Sequence, residues 1–86
     1  MEKTIKAFDR YKRVVASWAT SLQSEGYQQT FGYACFSLIF YKLKHSHNGN
    51  EIVIKGYPKD NFYFMLKNGK RIKSGKIIEN DGEKVH

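Results

Sequence analysis

Between Phe62 and Lys76 the chain reads Phe-Tyr-Phe-Met-Leu-Lys-Asn-Gly-Lys-Arg-Ile-Lys-Ser-Gly-Lys, so flat aromatic surfaces and fixed cations are interleaved over a short stretch. That mixture has a definite chemistry. Lys and Arg neutralise phosphates, and an aromatic ring stacks on an unpaired base of any sequence. The candidate binding residues are Tyr63 with Lys67, Lys70, Arg71, Lys73 and Lys76, and Tyr41 and Tyr57 are further rings able to stack. Arg10 and Arg13 add a second basic stripe near the N-terminus, suited to phosphate contact more than to reading bases.

Whether those side chains share a surface depends on the hairpin that carries them. Asn68-Gly69 between two alternating runs is a strong hairpin signal, because Gly takes positive φ without steric cost and Asn tolerates it. A two-residue loop pairs Leu66 with Arg71 and Phe64 with Lys73, which sets charges against large apolar side chains. A three-residue loop, Lys67-Asn68-Gly69 with a G1 bulge, instead pairs Phe64 with Ile72 and Phe62 with Ser74. The sequence expectation follows the second register. Phe62, Phe64, Leu66 and Ile72 then face a core, and Tyr63, Met65, Arg71 and Lys73 face solvent.

Other chemistries are poorly supported. There is no Gly-rich phosphate loop, no His-Glu-x-x-His and no Gly-x-Ser-x-Gly elbow, and the carboxylates fall in helix surface, turns and tail. The chain therefore reads as a non-enzyme. His45 or His47 beside a lysine leaves room only for a small ribonuclease-like activity, which would need a positioned acid and base. The same two histidines fall short of the three or four ligands of a metal site, so neither a metal nor any other cofactor is expected. Cys35 lies in an apolar run and reads as a small core side chain; as the one cysteine it forms no internal disulfide, in keeping with a reducing, cytoplasmic setting.

The elements that must position the basic and aromatic groups follow from periodicity. Ile5, Phe8, Tyr11, Val15, Trp18, Ala19 and Leu22 recur at three and four, which predicts an amphipathic helix over Thr4 to Ser24, ended at Gly26. Tyr27 to Gly32 reads as a connector. Tyr33 to His45 reads as a long strand, apolar on both faces at its middle, where Lys42 and Lys44 continue the parity of Phe40. Glu51 to Tyr57 is a second strand, with Ile52 and Ile54 opposite Val53, Lys55 and Tyr57, and Pro58 belongs to the turn after it. Gly75 is a candidate bulge that would return Ile77 or Ile78 to the core. The expected fold is α+β, one N-terminal helix packed on a four-stranded antiparallel sheet in the order α-β-β-β-β, a single domain over residues 1–78. Residues 79–86 form a polar, acidic tail expected to be flexible.

Charge narrows the partners. From Lys42 to Lys76 nine cations stand against Glu51 and Asp60, so this region holds the whole net charge of +7. A pI near 9.6 points to an anionic partner. The longest apolar run, Tyr33 to Tyr41, is far short of the roughly 20 residues of a membrane-spanning helix, and no membrane partner is expected. The leading expectation is thus a nucleic-acid-binding protein, for DNA or RNA, that uses a sheet face lined by Lys, Arg and Tyr. The alternative is a protein-interaction module that binds an acidic protein surface or pairs into a homodimer.

Overall fold

A computed structural model describes residues 2–78. The three-and-four spacing is realised as one helix, α1 (Glu2–Ser24), whose Val15 and Ala19 are buried and whose Phe8, Tyr11, Trp18 and Leu22 pack around them. Its end is sharply defined. The Glu25 and Gly26 amides donate back to the Leu22 and Gln23 carbonyls at 2.9 and 3.1 Å, and Gly26 then turns the chain with φ of 103°. A side chain there would meet left-handed strain and a Cβ would stand 2.7 Å from His45 Nε2, so glycine is required twice over.

Five strands follow, not four: β1 (Tyr27–Ala34), β2 (Ile39–His45), β3 (Glu51–Tyr57), β4 (Phe62–Lys67) and β5 (Lys70–Lys76). They form one antiparallel sheet in the order β1-β2-β3-β4-β5. The extra strand arises because the apolar run does not continue straight through. Cys35 and Leu38 exchange backbone hydrogen bonds of 2.8 and 3.3 Å, which folds Tyr27–Ala34 back onto Ile39–His45. The polar Gln28, Gln29 and Thr30 are compatible with this because β1 is an outer strand, exposed over most of its length, and needs no buried alternation. Cys35 accordingly sits in a partly exposed turn and not in the core.

α1 lies on one face of the sheet. Beneath it Ile39 and Leu43 of β2, Ile52 and Ile54 of β3, Tyr63 of β4 and Ile77 complete the buried cluster with Val15 and Ala19. Leu43, Ile54 and Ile39 are completely buried, each contributing about 1.5–3 kcal/mol by removal from water. Ile77 regains the core without a bulge at Gly75, which pairs regularly with Tyr63. Asn61 does the work. Its carbonyl accepts from Ile77 N–H at 3.1 Å, and its side-chain amide makes two bonds to the Ile78 backbone at 2.9 and 3.1 Å.

The β4–β5 hairpin turns through the two-residue loop that the sequence reading set aside, but only its first pairs keep that register: past Arg71 the ladder shifts by one, and Phe64 meets Ser74 instead of Lys73. Lys67 pairs with Lys70, Leu66 with Arg71, Met65 with Lys73 and Phe64 with Ser74, with the irregularity at Ile72. Asn68 and Gly69 both take positive φ, 52° and 87°, as a type I′ turn needs. Asn68 strengthens the choice: its side-chain oxygen accepts from the Glu51 amide at 2.9 Å, and its backbone N–H donates to the Glu51 carbonyl at 2.8 Å. The faces are therefore exchanged relative to expectation. Tyr63 and Met65 turn toward α1, and Phe62, Phe64 and Leu66 turn away from it. The objection that charges would be buried beside Leu66 and Phe64 fails because that face is not buried. The acidic tail, 79–86, lies outside the described residues.

Candidate functional site

The face of the sheet that α1 leaves open is assembled by register. Cross-strand partners in an antiparallel sheet project to the same side, with strands about 4.8 Å apart. One row across the sheet is Tyr33, Phe40, Lys55, Phe64 and Ser74; the next is Phe31, Lys42, Val53, Leu66 and Arg71. Tyr57, Phe62 and Lys76 make a shorter row beyond the first, and Lys44 lies beyond the second. Six aromatic rings and five cations thus occupy one continuous surface.

The rings touch one another and the cations. Phe31 meets Phe40 edge-on with centroids 5.7 Å apart, and Tyr57 stacks near Phe64 at 5.9 Å. Lys55 comes up between these two groups, its Nζ 5.8 Å from the centroids of both Phe40 and Phe64. Arg71 lies over the other side of Phe64 at 4.8 Å. The negative π face of each ring attracts the cation, which holds the charged heads among apolar groups while leaving them partly in water. Phe31 and Phe62 remain 53% and 38% exposed, so ring surface is available from above. Glu51, which pairs with Lys44 and brings a carboxylate to this face, is already engaged by Lys42 at 3.5 Å.

Of the residues singled out in the sequence, Tyr57, Arg71 and Lys76 belong to this face, whereas Tyr41 lies on the covered side, packed against the core. Tyr63 is on the covered side too: it is 6% exposed, with its ring centroid 4.4 Å from that of Trp18, and is a core residue. Lys67, Lys70 and Lys73 pair on the α1 side of the same hairpin, exposed to solvent. Arg10 and Arg13 are exposed on α1, across the sheet from the rings. The predicted set is therefore divided between two surfaces. Phe31, Tyr33, Phe40, Phe62, Phe64, Lys42, Lys44 and Lys55 were missed. The signal for them lay in parity: Phe40, Lys42 and Lys44 share a face with Lys55 and Tyr57, and a four-residue turn at Pro58–Asn61 sets Phe62 opposite Tyr57 and Phe64 opposite Lys55.

At one end of the sheet His45 acts as a structural pin. Its Nδ1 accepts from the His47 and Asn48 amides at 3.1 and 3.2 Å, which leaves the proton on Nε2 to donate to the Glu25 carbonyl at 3.1 Å. Among the described residues no group of three or more His, Cys, Asp or Glu side chains is placed to hold a metal, and no helix is long and apolar enough to cross a membrane. At the opposite end the Cys35 thiol lies 3.3 Å from the Ser37 hydroxyl. That hydrogen bond, with the Ser37 backbone and the Tyr33 hydroxyl, lowers its pKa to about 7. Comparison with protein-family models, curated proteins and solved structures finds no match to the chain.

Proposed function

We propose that the chain binds single-stranded nucleic acid across the open face of its sheet. The observation that carries this reading is the continuous run of rings Phe31, Phe40, Phe64 and Tyr57 with Lys55 set among them and Lys42, Lys44, Arg71 and Lys76 around it. Rings of this kind stack on bases only where the bases are unpaired, and the cations follow the backbone that links them. A broad five-stranded face enters neither groove of a duplex, whereas an extended single strand can lie along it. The same face packs badly on itself. Two copies set face to face would bring Lys55 and its neighbouring cations against like charges in a desolvated contact.

The test is fluorescence anisotropy of labelled single-stranded and duplex oligonucleotides over a range of salt. Single strands should bind in preference, and log K should fall with log salt at a slope of about −0.7 for each phosphate neutralised. Lys55→Gln should make that slope shallower by roughly one such contact. Equal binding of duplex, or binding indifferent to salt, would sink the proposal. A lack of saturable binding at low salt would transfer the face to an acidic protein partner.

A further inference from the structure

The two outer strands of the sheet differ in a way that bears on what each can pair with. β5 carries Lys70, Arg71, Lys73 and Lys76 and is kinked at Ile72, the usual protection of an exposed edge against a second strand. β1 has no charged residue and no proline, and it is the only described element without charge. It also exposes large apolar side chains, Phe31 at 53% and Tyr33 at 50%. No described strand lies beyond it.

Its backbone is set for pairing. Because Cys35 and Leu38 form a hydrogen-bonded pair, alternation makes Tyr33 and Phe40 a bonded pair and leaves Gly32 and Ala34 in unbonded positions opposite Tyr41 and Ile39. The N–H and C=O of Gly32 and Ala34 therefore point outward, away from β2. We infer that β1 is a homodimer edge, in which two copies pair antiparallel about a two-fold axis at Gly32. Gly32 then exchanges both backbone bonds with the second copy's Gly32, and Phe31 faces the second copy's Tyr33 on the open side. The irregularity between Gln29 and Phe31 limits this ladder to about five residues, Thr30 to Ala34.

Charge selects the occupant. Two copies of a chain with net charge +7 repel wherever their basic elements meet, and β1 is the strip where they can approach without opposed cations. An acidic partner would gain nothing from an uncharged edge and would be drawn to the cationic elements instead. An axis at Gly32 runs perpendicular to the sheet, so the two open faces lie on the same side. Each copy then contributes Phe31 and Tyr33 to the centre of one ten-stranded surface.

So short a ladder makes a small interface, in the weak class below about 1,200 Å², and the mass should depend on concentration. Light scattering and sedimentation equilibrium from micromolar to millimolar protein should show a rise from one to two copies per particle. Thr30→Lys, which places a charged edge residue opposite the second copy's apolar Ala34 at each end of the ladder, should weaken dimerisation roughly tenfold or more. Gly32→Pro removes an outward N–H that β2 does not use and should do the same, with far-UV circular dichroism to check the fold; if it does not fold, Thr30→Lys carries the test. A single-copy mass over the whole range, or a dimer that Thr30→Lys leaves intact, would overturn the inference. The measurement uses no nucleic acid, so its outcome is separate from that of the proposed binding activity.

Discussion

The two faces of the sheet solve the same problem with different residues. The face under α1 is built from Ile39, Leu43, Ile52 and Ile54, buried branched aliphatic side chains, with Tyr63 buried among them and Met65 partly buried at the margin. The open face is built from Phe31, Phe40, Phe62 and Phe64 with Lys42, Lys55 and Arg71. The larger apolar groups are thus on the less buried side. An aliphatic group has no attractive partner in water, whereas an aromatic ring offers a π face to a cation and keeps part of its surface at work while half exposed. Size alone is a poor guide to which side chain lies inside.

This contrast yields three measurable consequences, beginning with the largest. Leu43→Ala and Tyr63→Ala should each destabilise the fold by about 2–5 kcal/mol, read as a fall in denaturation midpoint, because both remove fully packed volume on the covered face. For Tyr63 the outcome is decisive. If stability barely changed and nucleic-acid binding were lost instead, Tyr63 would belong to the open face after all. Phe64→Ala should show the reverse pattern, a smaller change in stability with a loss of about 1–3 kcal/mol in single-strand affinity, the worth of one base–ring stack. Equal losses in both assays from all three variants would erase the distinction between the faces.

The smallest effect is at the turn that joins β1 to β2. The Cys35 pKa is lowered to about 7, chiefly by the Ser37 hydroxyl, so the thiolate form is favoured from near neutral pH upward. Alkylation by iodoacetamide should therefore rise through pH 7, below the ordinary thiol range, and Ser37→Ala should move its midpoint upward. An unmoved midpoint would show that the hydroxyl does not set the thiol's acidity.

Much of this molecule was legible in its sequence, and the failures share a cause. The helix and its Trp18 face, the stop at Gly26 and the two faces of β3 followed from local periodicity, which depends on residues a few positions apart. The α+β class followed as well. The strand count failed at Cys35–Leu38, where an apolar run hides a turn made by backbone bonds with no Gly or Pro to mark it. The hairpin faces were exchanged because the largest apolar residues were assigned to the core. That judgement needed the cations Lys55 and Arg71 to be seen beside Phe64, a relation between strands that one strand's sequence does not display. Asn68 could have corrected it: its fit to a type I′ turn is local, and the two-residue loop follows from it.

The strand order has a consequence for assembly as well as for shape. Every ladder joins segments consecutive in the chain, so each closure spans only a short loop, the low contact order associated with rapid folding. The exception is the docking of α1, which must bring Trp18 against Tyr63 from the far side of three strands. Trp18 is the chain's one tryptophan, and its fluorescence therefore marks that closure apart from the zipping of the sheet.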